Sequence, residues 1–187
     1  MEVPKIKKRG RPTKNKPVLN QKKIIETAKK LMRKDGKIPS IRKLSSALDV
    51  DAMAIYYYFS NKDKLLEAVT TSLITEVYEP KIVIDWQEEL ITLASSYLRV
   101  LQNYDGLLQT LLSMKSDSPV HVFFQRFQLI IEPLNLSDDQ QKSMLDLVAD
   151  YLHGFSLALS CDSSNTLKIE GIRAPLTFMF SAIERVK

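Results

Sequence analysis

Few residues in this 187-residue chain have the types and spacing for covalent chemistry. Cys161 as nucleophile with His153 as its base is the best pair on offer, but no third group orients the imidazole, and a helix end is expected between them. His121 and His153 stand far from any cysteine or carboxylate pair at ligand spacing, so no metal site is expected. The scarce glycines form no phosphate-cradling loop. No enzyme activity and no cofactor are therefore expected. The chemistry that remains is recognition of an anionic polymer. In Lys7-Lys8-Arg9-Gly10-Arg11-Pro12, Gly10 lets the backbone approach the floor of a narrow minor groove, while Arg9 and Arg11 extend along it to either side.

The charge distribution supports that direction. The chain carries +5 overall, but residues 1–65 hold 18 basic and 6 acidic side chains, a net +12, and residues 66–187 carry a net −7. A basic third that can neutralise phosphate is thus joined to an acidic remainder that DNA repels. No apolar run reaches the roughly 20 residues that span a bilayer, and no apolar segment follows the N-terminal charges. A cytoplasmic protein without a membrane partner is the expectation. One cysteine excludes an internal disulfide framework, and 44% hydrophobic residues suffice for a core.

The elements that must position these residues are helices. Residues 1–19 read as a basic arm broken by Pro4, Pro12 and Pro17, with little to bury. Asn20 opens a helix whose apolar residues Ile24, Ile25, Ala28, Leu31 and Met32 recur at three and four residue steps until Gly36. Ser40 caps a short helix and Asp51 a second one, and a long helix runs from Lys62 until Pro80 forbids continuation. Further helices are expected from Asp85 with a capping-box partner in Glu88, near Asp105, from a Ser118 cap with Pro119 behind it, from Ser137 to Leu159, and from Ala174 to Val186. No alternating strand pattern appears. The fold class is all-α: a basic arm at 1–19, a three-helix domain at 20–66, and a helical bundle at 67–187.

Two short helices joined by a tight turn, from Ser40 to Tyr58, form a helix-turn-helix pattern inside the basic region. Here the sequence resembles the TetR-type transcriptional regulators. The resemblance is carried by Ile41-Arg42-Lys43-Leu44, Leu48-Asp49-Val50, Ala54-Ile55-Tyr56-Tyr57-Tyr58-Phe59 and Asn61-Lys62-Asp63-Lys64-Leu65-Leu66, and it is densest over residues 20–69. It implies that Ser40 and Arg42 meet phosphate and base edge, and that Ala52, Met53 and Ala54 stand at the reading positions of the second helix. It also implies that Tyr56 and Tyr57 contact groove and backbone, and that Lys62 holds a phosphate where the long helix begins. Ala52 and Ala54 depart from the polar residues common at those positions. Their favourable partner is a thymine methyl, which leaves hydrogen-bonded readout to Arg42, suited to guanine. The Arg9 to Pro12 run is similar to an AT-hook core.

The same resemblance implies a double-stranded DNA operator, a homodimer built from the last two apolar helices, and a small-molecule effector that relieves repression. Tyr97, Tyr104, Phe123, Phe127, Tyr151 and Phe155 are the aromatic candidates for a pocket taking a largely apolar compound. A protein that binds A·T tracts through the arm without effector control is the alternative that the residues leave open.

Overall fold

The computed structural model describes residues 19–186, and the basic arm with its Arg9, Gly10, Arg11 and Pro12 lies outside the described residues. Nine α-helices follow in order: α1 (Gln21–Asp35), α2 (Ile41–Leu48), α3 (Ala52–Tyr56), α4 (Lys62–Ile74), α5 (Trp86–Asn103), α6 (Leu107–Ser113), α7 (Ser118–Ile131), α8 (Asp138–Cys161) and α9 (Arg173–Val186). Short 3-10 turns at Glu132–Leu134 and Ile169–Ile172 complete the set, and the described residues contain no strand.

The first three helices begin where their caps dictate. Asn20, Ser40 and Asp51 each turn a side-chain oxygen onto a backbone N–H of the first turn, at 2.8 Å from Lys23, 3.2 Å from Lys43 and 2.8 Å from Met53. Each such cap contributes about 1 kcal/mol. Gly36 closes α1 at φ 61°, a left-handed position that favours glycine. Ile24, Ala28 and Met32 of α1, Leu44 of α2, and Ile55 and Phe59 at the end of α3 are buried together and hold the two short helices against α1.

Three boundaries and one capping partner differ from the sequence expectation. The long helix ends at Ile74 rather than running to Pro80, where the buried Arg126 guanidinium of α7 holds the final helical carbonyl and two just beyond it: Nη1 donates to Ile74 O at 3.0 Å and Val77 O at 2.7 Å, and Nη2 donates to Thr75 O at 3.1 Å. Asp85 caps α5 as expected, but the Glu88 carboxylate pairs with Arg173 of α9, Nη2 to Oε2 at 2.9 Å, and so spans two helices. At α7 the cap is Asp117, so Ser118 is the first helical residue and Pro119 the second. The α8 helix carries the complete capping box of Ser137 and Gln140 and continues through Cys161, past the expected end at Leu159.

The body packs α5 between α7, α8 and α9, and α4 lies against α1 on one side and α7 on the other. One contiguous buried cluster runs from Ile24 in α1 to Phe180 in α9, so α4 belongs to the hydrophobic interior of both the head and the body. Polar contacts reinforce the junction. Lys29 Nζ of α1 meets Glu76 Oε1 at 2.8 Å, and the Arg33 guanidinium lies 4.9 Å from the Tyr104 ring centre while donating to its hydroxyl. A Cβ on Gly36 would stand 3.0 Å from Asp105 Oδ2, which places the end of α1 directly against the turn between α5 and α6.

Candidate nucleic-acid interface and ligand cavity

The α3 helix is only five residues long, and one side of it is anchored by Ile55, fully buried. Burying that side chain is worth roughly 2 kcal/mol. The other side faces solvent: Met53 is 71% exposed and Tyr57 84% exposed, with Tyr56 also exposed and Ala52 and Ala54 partly so. Met53 is therefore an exposed apolar residue at the front of the helix, not part of the core. Ser40 and Arg42, both exposed, sit at the start of α2, and Lys62, exposed, is the first residue of α4. Residue by residue, these are the positions the sequence singled out.

Tyr58 is a residue the sequence reading passed over. Its hydroxyl donates to Leu19 O at 2.6 Å, and Gln21 Nε2 donates back to Tyr58 O at 3.3 Å. The chain thus enters α1 from a point tied to the end of α3. Leu19, the first described residue, therefore lies beside the exposed helix. A further charged group lies on the flank of α4, where Glu67 accepts from Lys64 Nζ at 2.7 Å and from Ser118 Oγ at 2.7 Å. The Lys64 bond, then those from Ser118 and Ser116, hold its carboxyl down to about 2.

In the body, a cavity of about 160 Å³ opens between the end of α4 and helices α5 to α8. Ile74, Tyr97, Leu111, Pro119, Phe123, Leu145, Ala149 and His153 enclose it, and Leu112, Val120 and Asp146 stand at its solvent side. Its one internal polar pair is Tyr97 Oη and His153 Nε2, 3.0 Å apart. Burial pushes the Tyr97 phenol upward, and burial also pushes the His153 imidazole below its ordinary value, opposed by the Asp150 carboxylate. Tyr97 and Phe123 rings pack 5.0 Å apart at the wall.

Of the six aromatic candidates, the structure brings Tyr97 and Phe123 to this cavity and places the other four elsewhere. Tyr104 is taken by Arg33 at the head–body junction. Phe127 is fully buried core on the same helix as Phe123 but one turn on. Tyr151 and Phe155 pack on each other, ring centres 6.0 Å apart, with Phe155 Cζ 3.6 Å from where a Cβ on Gly171 would lie. Helical spacing alone cannot tell these faces apart, since helices such as α5 and α7 are each packed against several others. Arg126 was missed as well, although a charge inside the apolar series Phe123, Phe127, Ile130 was the available signal. Cys161 and His153 both lie within α8, eight residues or about 12 Å apart along the axis, and His153 is bonded to Tyr97.

A three-helix head presenting an exposed second helix, carried on a helical body with its own cavity, has the architecture of a helix-turn-helix protein. The sequence family of bacterial regulatory proteins named for tetR matches residues 24–69, and the tetracyclin repressor-like C-terminal domain matches residues 79–174. The chain belongs to the TetR family of DNA-binding transcriptional regulators. An HTH-type transcriptional regulator of Saccharopolyspora erythraea is 31% identical over 94 residues, a match that takes in 49% of this chain and 40% of that relative. The chain therefore covers less than half the length of this curated relative. In three dimensions it is similar to apo ActR from Streptomyces coelicolor, with TM-score 0.77 and 17% identity over 90% of this chain and 96% of that one. It is also similar to BioQ with its double-stranded DNA operator, with TM-score 0.71 and 18% identity over 89% and 98%. ActR in complex with actinorhodin gives TM-score 0.68 and 22% identity over 79% of this chain and 71% of that one. At such identities the likeness establishes the fold.

Proposed function

We propose that this chain represses transcription as a homodimer on operator DNA and is released when a small molecule occupies the cavity of the body. The observation that carries the reading is that Ile74, the last residue of α4, lines that cavity, while the first residue of the same helix, Lys62, stands in the DNA-facing head. A molecule that fills the cavity meets the end of the lever whose other end sets the position of α3. It need bind only one conformer better to shift the population away from DNA.

The two-fold partner docks on α8 and α9. On the 24-residue α8 only Met144, Val148 and Leu152 are buried, whereas Leu147 and Leu157 are exposed, and Phe178 of α9 is 80% exposed. A groove lined by Met144, Leu147, Met179 and Ile183 lies on the same side. Pairing these helices with their copies would cover this apolar surface in a four-helix bundle and place two α3 helices one duplex turn apart.

On DNA, Ser40 and Lys62 hold phosphates through a hydroxyl, an ammonium and helix N-terminal N–H groups, and Arg42 reads guanine. Ala52, Met53 and Ala54 meet thymine methyls, and the rings of Tyr56 and Tyr57 lie along the backbone. The arm, starting beside α3 at Leu19, follows the minor groove of A·T-rich flanks. ActR with actinorhodin and BioQ with its operator support the two binding activities by analogy of fold. The test is a selection from random duplexes followed by gel-shift titration. Recovered sites should be palindromic with A·T-rich flanks, and removing residues 1–16 should lower affinity and flatten its salt dependence. Recovery of unrelated A·T tracts without a palindrome would favour an architectural role and overturn the repressor reading.

A further inference from the structure

We infer that the body cavity takes a neutral one-ring aromatic compound bearing a hydroxyl, a molecule of the phenol class, with the Tyr97–His153 pair as its hydrogen-bonding partner. The inference rests on the cavity being the effector site and assigns the class of molecule it holds. Size is the first argument. About 160 Å³ is well below the roughly 300 to 1,000 Å³ of pockets that hold drug-sized molecules, and close to the roughly 150 Å³ that accommodates benzene. A fused compound of three or more rings does not fit this volume.

Polarity is the second. Apart from Asp146 at the solvent side, every wall residue is apolar except Tyr97 and His153. The Tyr97 oxygen, already bonded to His153 Nε2, keeps capacity for one further bond. If Tyr97 donates to the imidazole, the oxygen is left to accept; if the imidazole donates, the phenol proton is left to give. A ligand hydroxyl is both donor and acceptor and satisfies either arrangement, whereas a ketone or an ammonium satisfies only one.

Charge is the third. No Lys or Arg among the described residues lines the cavity, and burial holds His153 toward its neutral form. Lys142, the nearest ammonium along α8, is committed to Asp146 at 2.7 Å. A carboxylate entering here would lose its hydration with no free cation at the wall to offset the loss. The fourth argument is the mouth. Leu112 is 64% exposed and Val120 54% exposed on either side of it, an apolar rim that the fold leaves uncovered and that a ring passing between α6 and α7 would bury.

The experiment is calorimetric titration of the full chain with 4-methylphenol, toluene, benzoate and a hydroxyanthraquinone, each then tested for release of the selected DNA. Binding of 4-methylphenol about fivefold tighter than toluene is expected from one net hydrogen bond, with no measurable binding of benzoate. Tyr97→Phe should erase the preference over toluene while retaining toluene binding, and Ala149→Leu, which fills the wall, should weaken both. Circular dichroism establishes that each variant folds, and wild-type titrations decide the outcome where one does not. Equal affinity for 4-methylphenol and toluene, binding of benzoate, or tighter binding of the hydroxyanthraquinone would overturn the assignment. The two readings fail separately. A polycycle that binds and releases DNA keeps the effector site and removes the one-ring class, whereas 4-methylphenol that binds without releasing DNA keeps the class and removes the effector role.

Discussion

The guanidinium of Arg126, buried on α7, donates to the carbonyl of Val77 at 2.7 Å, beyond the last turn of α4. With its bonds to Ile74 O and Thr75 O, one side chain satisfies three carbonyls where the helix stops. Phe123, on the same face of α7 one turn earlier, lines the cavity. The wall of the cavity and the stop of α4 are therefore parts of one helix, and a shift of α7 moves both.

Replacing Arg126 by Met keeps the stem and removes all three bonds. Thr75 is exposed and Ile74 O keeps the Val77 N–H, so the Val77 carbonyl carries most of the penalty and the loss should be about 1 to 3 kcal/mol, measured by urea unfolding followed by circular dichroism. Hydrogen exchange should also rise at the end of α4 before anywhere else in the body. Unchanged protection there would show that the helix stop does not depend on Arg126.

Glu67 makes stability depend on acid. Its folded carboxyl is depressed from 4.5 to about 2 by Lys64, Ser118 and Ser116, so ionised Glu67 favours the folded chain. Its contribution is fully present above about pH 4.5 and is lost as pH falls through about 2. In Glu67→Gln, the deficit in urea midpoint relative to the parent chain should be constant near neutrality and shrink across that window. A deficit independent of pH would assign the effect to packing.

The proposed DNA contacts separate by kind. Arg42→Ala should cost about 1 to 3 kcal/mol on the selected site and relax the preference at a single base pair. Lys62→Ala should weaken binding to all duplexes about equally and reduce the salt slope by about one. Gel-shift titration at several salt concentrations distinguishes the two. A salt-slope change for Arg42→Ala without loss of base preference would make that residue a phosphate contact.

Tyr58→Phe removes the tether between α3 and Leu19 while keeping the ring. One net hydrogen bond predicts a stability loss of about 1 kcal/mol. If Tyr58 aims the arm, DNA affinity should fall by more than that loss explains, and the fall should vanish in a chain already lacking residues 1–16. An equal fall in both backgrounds would mean that Tyr58 acts only on α3.

Much of this was legible in order along the chain. The caps Asn20, Ser40, Asp51 and Ser137 and the left-handed stop at Gly36 are local events, decided by a side chain and the backbone within a few residues of it, so the sequence alone determined where those helices start and where α1 stops. The charge asymmetry and the aromatic run after α2 likewise sufficed to place the DNA-reading head. Tertiary structure decided what depends on distant groups. Pro80 permitted a longer α4, which stops instead at Ile74, where Arg126, far along the chain, holds its final carbonyl. Glu88 had a local capping role open to it and was taken by Arg173 instead. Six aromatic residues had equal helical spacing, and only packing put Tyr97 and Phe123 against an opening while enclosing Phe127 and giving Tyr104 to Arg33. The physical reason is the range of the interactions: caps and propensities act within a turn, whereas a cavity is the space left over when helices from every part of the body have packed.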